Sequence, residues 1–214
     1  MAELVIVRHG QAAFGSDNYD RLSDLGRRQA RAVAAHLRRT GWVPDRMVTG
    51  TLDRQVETLA EMGFDGTTER HAGFNEYDFH DLLNTRFGGQ APEPVMQDRK
   101  THFRTLRDTI LEWQQDHIAG AAESWGEFRG RVADALGFAT DTDARRVLVV
   151  SSGGVIGQIV ASTLGAPDPM MMELNLQVKN SSLHRFIFSR GRMMLAEFNA
   201  TPHFDAAPDL LSYS

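Results

Sequence analysis

Two kinds of apolar pattern alternate along the chain. "LVIV" (Leu4 to Val7) is short, mostly β-branched and fully apolar, which predicts a strand buried on both faces. It ends at once in Arg8-His9-Gly10. From about Asp24 the period changes: Ala30, Val33, Ala34 and Leu37 recur at helical spacing, Ser23 offers an N-cap and Gly41 a stop. Met47-Val48 predicts a short second strand. Thr49-Gly50-Thr51 then opens a helix with Leu52, Val56 and Leu59 on one face, closed by Gly63 to Gly66. Between about Phe74 and Thr140 no strand pattern occurs. "FGGQAPEP" (Phe87 to Pro94) reads as a loop, and Val95 to Ile118 as a helix with Leu106, Ile110, Leu111 and Trp113 on its apolar side. Ser124-Trp125-Gly126-Glu127 has the form of a capping box, and Phe128, Val132, Ala135, Leu136 and Ala139 continue that helix. Arg145 to Val150 restores the strand pattern. "GVIGQIVASTLG" is a helix ended by Gly165, and "SSLHRFIF" and "RMMLAEFN" are two strands around a Ser189-Arg190-Gly191 turn.

The order strand, helix, strand, helix, helical insertion, strand, helix, two strands predicts an α/β fold with helices on both faces of a sheet, a three-layer α/β/α sandwich. No Pro/Gly/Ser linker isolates the insertion. The expectation is therefore one domain over residues 1–214, with a small helical cap at about 77–143. With 214 residues, 42% hydrophobic and 24% charged, the chain has the make-up of a globular protein that needs no staples. It has no cysteine, which excludes a disulfide framework and thiolate chemistry and fits a reducing cytoplasm. "MAELVIVRHG" lacks a basic leader, and no apolar run is long enough to span a membrane, so a cytoplasmic location without membrane contact is expected. The formal net charge of −5 argues against a nucleic-acid surface; an anionic ligand would need a local cluster of positive charge.

Ligands of open α/β sheets bind where strands end and the chain turns into helices. Three such junctions carry polar groups here: Arg8-His9-Gly10, the helix start with Arg54, and Ser151-Ser152-Gly153-Gly154. Were these strands neighbours, two arginines, a histidine and a helix N-terminus would meet. Guanidinium groups fork onto phosphate oxygens, helix N-termini add N–H donors, and a neutral imidazole can attack phosphorus. Each piece alone is ordinary; convergence is what would make a site.

Five ordered segments carry a family resemblance. "LVIVRHGQA" resembles the signature of the histidine phosphatase superfamily, the phosphoglycerate mutase-like proteins. "LSDLGRRQA" resembles the start of the family's first helix, "TGTLDRQVETL" the segment of its second phosphate-binding arginine, "FNEYDF" that of its acidic proton donor, and "VLVVSSGGVIG" its last active-site turn. The resemblance runs from Leu4 to about Phe198. It implies a phosphoglycerate mutase-like fold and a phosphomonoesterase that needs no cofactor and no metal. His9 would be the nucleophile that becomes phosphorylated. Arg8 and Arg54 would hold the phosphoryl oxygens, Ser152 and Gly153 would line the last turn, and Glu76 would protonate the leaving oxygen. The partner implied is a small phosphorylated substrate or inorganic phosphate. Oligomeric state stays open, with a homodimer among the options.

The pattern breaks in two places. The family's last turn reads Ser-His-Gly, and here Ser152 stands at the histidine; Ala12 stands where threonine is common. One preorganised donor lost from developing charge costs about 2.7–4 kcal/mol, roughly 10²–10³ in rate. A neutral hydroxyl recovers part of that, so a weakened or specialised phosphatase is expected. The alternatives are a catalytically silent relative that binds a phospholigand or a protein and, below it, a mutase. His80 and His203 are the two candidates to compensate for Ser152, although the ordinary reading of each is an exposed or structural histidine. His36, His71, His102, His117 and His184 read as surface or structural. Phe14, Phe79, Phe87, Trp113 and Trp125 offer an apolar substrate wall, although helical spacing assigns the two tryptophans to the core. Arg99, Lys100 and Arg104 offer a second anion contact.

Overall fold

The computed structural model describes residues 1–13, 20–90 and 99–213. Strands β1 (Ala2–Arg8), β2 (Arg46–Thr49), β3 (Thr68–Arg70), β4 (Arg146–Ser151), β5 (Leu183–Ser189) and β6 (Arg192–Ala200) form one sheet in the order β3-β2-β4-β1-β5-β6. The first four positions are parallel, and β5 and β6 add an antiparallel edge. The described helices are α1 (Asp24–Arg39), α2 (Asp53–Met62), α3 (Phe79–Arg86), α4 (Arg99–Trp113), α5 (Trp125–Thr140), α6 (Gly153–Leu164) and α7 (Pro169–Asn175).

Strand alternation splits the core into two layers. Leu4 and Ile6 of β1 point to one face, where Phe128 and Val132 of α5, Ile156 and Val160 of α6 and Met171 of α7 cover them. Val5 and Val7 point to the other face, covered by Val33 and Leu37 of α1 and by Leu59 and Met62 of α2. Each such side chain, fully buried, contributes about 1.5–3 kcal/mol. The α/β/α expectation therefore stands.

Local signals behave as their chemistry dictates. The Ser23 side chain accepts from the Gly26 N–H, Ser124 and Glu127 close a full capping box, and Gly63 and Gly165 end α2 and α6 in the left-handed conformation. Trp113 and Trp125 are core residues whose rings meet edge to face at 5.2 Å, which removes them from a substrate wall. Three differences have physical reasons. β3 is a three-residue edge strand of polar Thr-Glu-Arg, so it shows no apolar alternation. α7 is too short for a period and is marked only by Pro169 at its start. α4 ends at Trp113 rather than Ile118, because Asp116 turns left-handed and the His117 N–H donates back to Glu112. The loop expected over 87–94 lies outside the described residues from position 91. So do Phe14, the first turn expected at 95–98, and the side chains of Arg99 and Lys100. Arg104 is exposed.

Candidate active site

The parallel register sets Arg8 opposite Ser151 and Thr49 opposite Val150, so β1, β4 and β2 end side by side. All three predicted junctions therefore open at the same end of the sheet, where the parallel strands finish. The His9 N–H continues the ladder to the Ser151 carbonyl at 2.9 Å. Nδ1 of His9 lies 2.8 Å from the Gly10 carbonyl oxygen, which can only accept, so Nδ1 carries the proton. Nε2 then bears the lone pair, and it accepts from Nε of Arg54 at 3.2 Å. His9 is 5% exposed. Burial above all, then the charges of Arg54 and Arg8, holds its pKa well below the usual histidine value, so the imidazole is neutral at physiological pH.

Arg8 reaches across β1 to the Val178 carbonyl. The loop carrying that carbonyl is clasped by Asn199, whose side-chain oxygen accepts from the Lys179 N–H at 2.9 Å and whose amide donates to Gln177. Asn199 has a φ of 57°, a conformation asparagine tolerates. Arg54, in the first turn of α2, forms a 2.5 Å ion pair with Asp20. The other Asp20 oxygen accepts from the Asp53 N–H at 2.8 Å, supplying the helix cap that Leu52 cannot provide. Thr58 donates to the Arg54 carbonyl and accepts from the Gly10 N–H, which ties the two junctions together.

Glu76 enters from the chain after β3. Its Oε2 accepts from the Gly154 N–H at 3.0 Å, at the mouth of α6, and its Oε1 accepts from the Tyr77 N–H at 3.3 Å. Burial raises its pKa, outweighing the opposing pull of Gly154, Arg54 and Arg8. The double glycine has a steric reason. A Cβ at Gly154 would lie 2.4 Å from Oε1 of Glu76 and 2.3 Å from the Tyr77 ring, and one at Gly153 would lie 2.4 Å from the Asn175 side-chain oxygen. The turn is stripped to glycine so that the Glu76 carboxylate, the Tyr77 ring and the Asn175 side chain can approach the helix mouth. Ser152 is the N-cap residue of α6 but makes no side-chain cap; its Oγ accepts instead from Nε2 of Gln55 at 2.8 Å. Ala12 is buried in an isolated bridge to Leu22.

Arg8, His9, Arg54, Glu76, Ser152 and Gly153 thus gather around the N-terminus of α6. Neither compensating candidate makes a hydrogen bond or ring contact with these six residues. His80 is exposed beside Phe79 on α3. His203 packs against His36 and Phe204, and burial lowers its pKa to about 4, so it brings no charge at neutral pH. His71 accepts from the Gly73 N–H, and fully buried His184 is hydrogen-bonded to Ser182 and Asn199. Asp20, Gln55, Thr58 and Asn199 had no sequence signal: each acts through hydrogen bonds to residues distant in the chain. Among the described residues no three His, Cys, Asp or Glu side chains cluster as metal ligands, and no helix is long and apolar enough to cross a membrane.

Residues 4–201 match the family model of the histidine phosphatase superfamily (branch 1). The chain belongs to this superfamily. No curated protein matches it individually. Several solved structures of the superfamily's fold superpose closely. A variant of the phosphoserine phosphatase of Entamoeba histolytica, in complex with phosphoserine, is 19% identical with a TM-score of 0.67, over 95% of this chain and 99% of that one. A mycobacterial glucosyl-3-phosphoglycerate phosphatase in complex with VO3 is 22% identical with a TM-score of 0.68, over 94% and 100%. A structure described as mycobacterial hydrolase 1 is 22% identical with a TM-score of 0.69, over 94% and 99%. At these identities the likeness carries the fold.

Proposed function

We propose that this superfamily member is a phosphomonoesterase working through a phosphohistidine at His9, in which the helices between β3 and β4 (about 77–143) cap the substrate. The observation that carries the reading is the state of His9: neutral, its Nδ1 proton locked onto Gly10, its Nε2 lone pair aimed at Arg54. An incoming phosphoryl group takes over the Arg54 Nε–H and frees that lone pair. Nε2 attacks phosphorus as the ester P–O bond breaks, and the leaving oxygen takes the proton of Glu76. The Glu76 carboxylate then removes a proton from water, the hydroxide attacks phosphorus, and the P–N bond electrons return to Nε2. Ester and water become alcohol and phosphate. Arg8, Arg54 and the α6 amides stabilise the transferring group throughout, which is the main demand of phosphoryl transfer.

Ser152 leaves the pocket with two cations and one neutral hydroxyl at its last turn, and the Asp20 carboxylate partly offsets Arg54. The reading is therefore of a slow or specialised phosphatase. A silent phospholigand binder is the competing reading, favoured by Ser152 and opposed by Glu76, which a pure binder has no use for. Hydrolysis of p-nitrophenyl phosphate by the wild type and by His9→Ala and Glu76→Gln separates them. The enzyme reading expects turnover that His9→Ala abolishes. Wild-type phosphate binding without turnover makes the protein a binder.

A further inference from the structure

Gln55 follows Arg54 on α2 and is completely buried, an unusual burial for a glutamine amide. Its orientation is not ambiguous. The Phe74 carbonyl lies 2.8 Å from the amide end and can only accept, so the group facing it is Nε2. The same Nε2 lies 2.8 Å from Ser152 Oγ. Its two protons are thereby spent, one on Phe74 and one on Ser152. Ser152 must accept from Gln55, and its own hydroxyl proton points elsewhere. Among the described residues no acceptor takes it.

The Phe74 carbonyl also accepts from Ser151 Oγ at 2.8 Å, which uses its second lone pair. One amide therefore joins the α2 turn of Arg54, the segment two residues before Glu76, and the turn at Ser152. The remaining Gln55 atom, Oε1, is buried without a hydrogen-bond partner. It occupies the space left by Gly50: a Cβ at that position would lie 1.9 Å from Oε1.

From this geometry we propose that Gln55 is a positioning residue. It holds Ser152 Oγ as an acceptor, so that the Ser152 proton is delivered to an oxygen of the bound phosphoryl group. Gln55 and Ser152 act as one unit in a pocket whose last turn has no cation. The proposal rests on the phosphoryl-binding reading of the site but not on turnover.

The test is a double-mutant cycle on the Kd of inorganic phosphate, with kcat and KM on p-nitrophenyl phosphate as a second readout. Ser152→Ala is expected to weaken phosphate binding roughly tenfold and to lower kcat by about 10–100-fold, as one neutral donor is removed. Gln55→Met, which keeps the length and burial but has no N–H, is expected to give a loss of similar size. In the Ser152→Ala background Gln55→Met is expected to change Kd and kcat by less than about twofold, because the unit is already broken. Equal losses from Gln55→Met in both backgrounds mean a merely structural role and overturn the proposal; so does an unchanged Kd in either single variant. If His9→Ala keeps full turnover while the cycle on Kd shows coupling, the phosphohistidine reading falls and the Gln55–Ser152 unit stands. If the wild type does not bind phosphate, both fall.

Discussion

A methyl group added at Gly154 tests the acid assignment more sharply than removing the acid. The backbone there is helical, so alanine is intrinsically favoured by about 1 kcal/mol. Its Cβ would nonetheless meet Tyr77 Cε1 at 2.3 Å and Glu76 Oε1 at 2.4 Å. The two obstacles differ. The Tyr77 ring is wedged between Trp113 and Phe128, with centroids 5.6 and 5.8 Å away, whereas the Glu76 carboxylate ends a flexible chain. The carboxylate yields first and leaves the Gly154 amide, and the Tyr77 ring must shift as well to clear the methyl group. Overpacking costs about 1–3 kcal/mol and the propensity gain offsets only part of it, so the melting temperature falls, and rates are compared at a temperature where the variant is folded. A displaced general acid costs roughly 10²–10⁴ in rate. The loss depends on the leaving group: an alkoxide needs the proton, and p-nitrophenolate barely does. Gly154→Ala is expected to lower kcat/KM about 100-fold or more for an alkyl phosphate and about tenfold or less for p-nitrophenyl phosphate. Gly153→Ala, whose Cβ meets the end of the Asn175 side chain and stays 3.6 Å from Arg8, is the milder control. Equal losses on both substrates, or a loss under about threefold on the alkyl ester, would refute the placement of Glu76 as the acid.

Ser152→His restores a ring but drives it into the Gln55 amide, 2.8 Å from Oγ. The single variant is expected to lose about 1–3 kcal/mol of stability in urea titration, and Gln55→Ala added to it to recover stability and raise turnover above the single variant. The pH profile of kcat/KM is expected to fall on the acid side as His9 takes a proton, below the ordinary histidine range. It should fall on the alkaline side as Glu76 loses one, above the ordinary carboxylate range; an acid limb near about 6.5 would contradict the buried neutral imidazole. His184, pushed by burial to about 3, stays neutral in the fold while the unfolded chain takes a proton below about 6.5. The unfolded state then binds more protons, so stability falls as pH drops through that window, by roughly 4 kcal/mol at its lower end. Chemical denaturation of the wild type and His184→Gln across pH 4–7 measures it, and parallel curves would contradict it.

Much of the scaffold was legible because it rests on period and caps. The unbroken Leu4 to Val7 run marked a strand with a covered face on each side, and Ser23, Gly63, Ser124 and Gly165 marked helix ends that the structure reproduces. The three polar junctions followed from strand ends, and the parallel register of β1, β4 and β2 is what gathers them. What stayed hidden was long-range. Asp20 meets Arg54 across 34 positions, Gln55 meets Ser152 across 97, and Asn199 clasps a loop 20 positions away. No local pattern encodes such pairs. Ser152 read as a lone defect; beside Gln55 it is half of a hydrogen-bonded pair.

The proposed mechanism stands or falls on a covalent bond between phosphorus and Nε2 of His9. The direct measurement is intact-protein mass spectrometry after mixing with excess acetyl phosphate and quenching in alkali, which preserves phosphohistidine. The expected result is one added phosphoryl group that acid removes, that maps to His9, and that is absent in His9→Ala. A wild type that hydrolyses phosphate esters but carries no label, or a label that persists in His9→Ala, would contradict it.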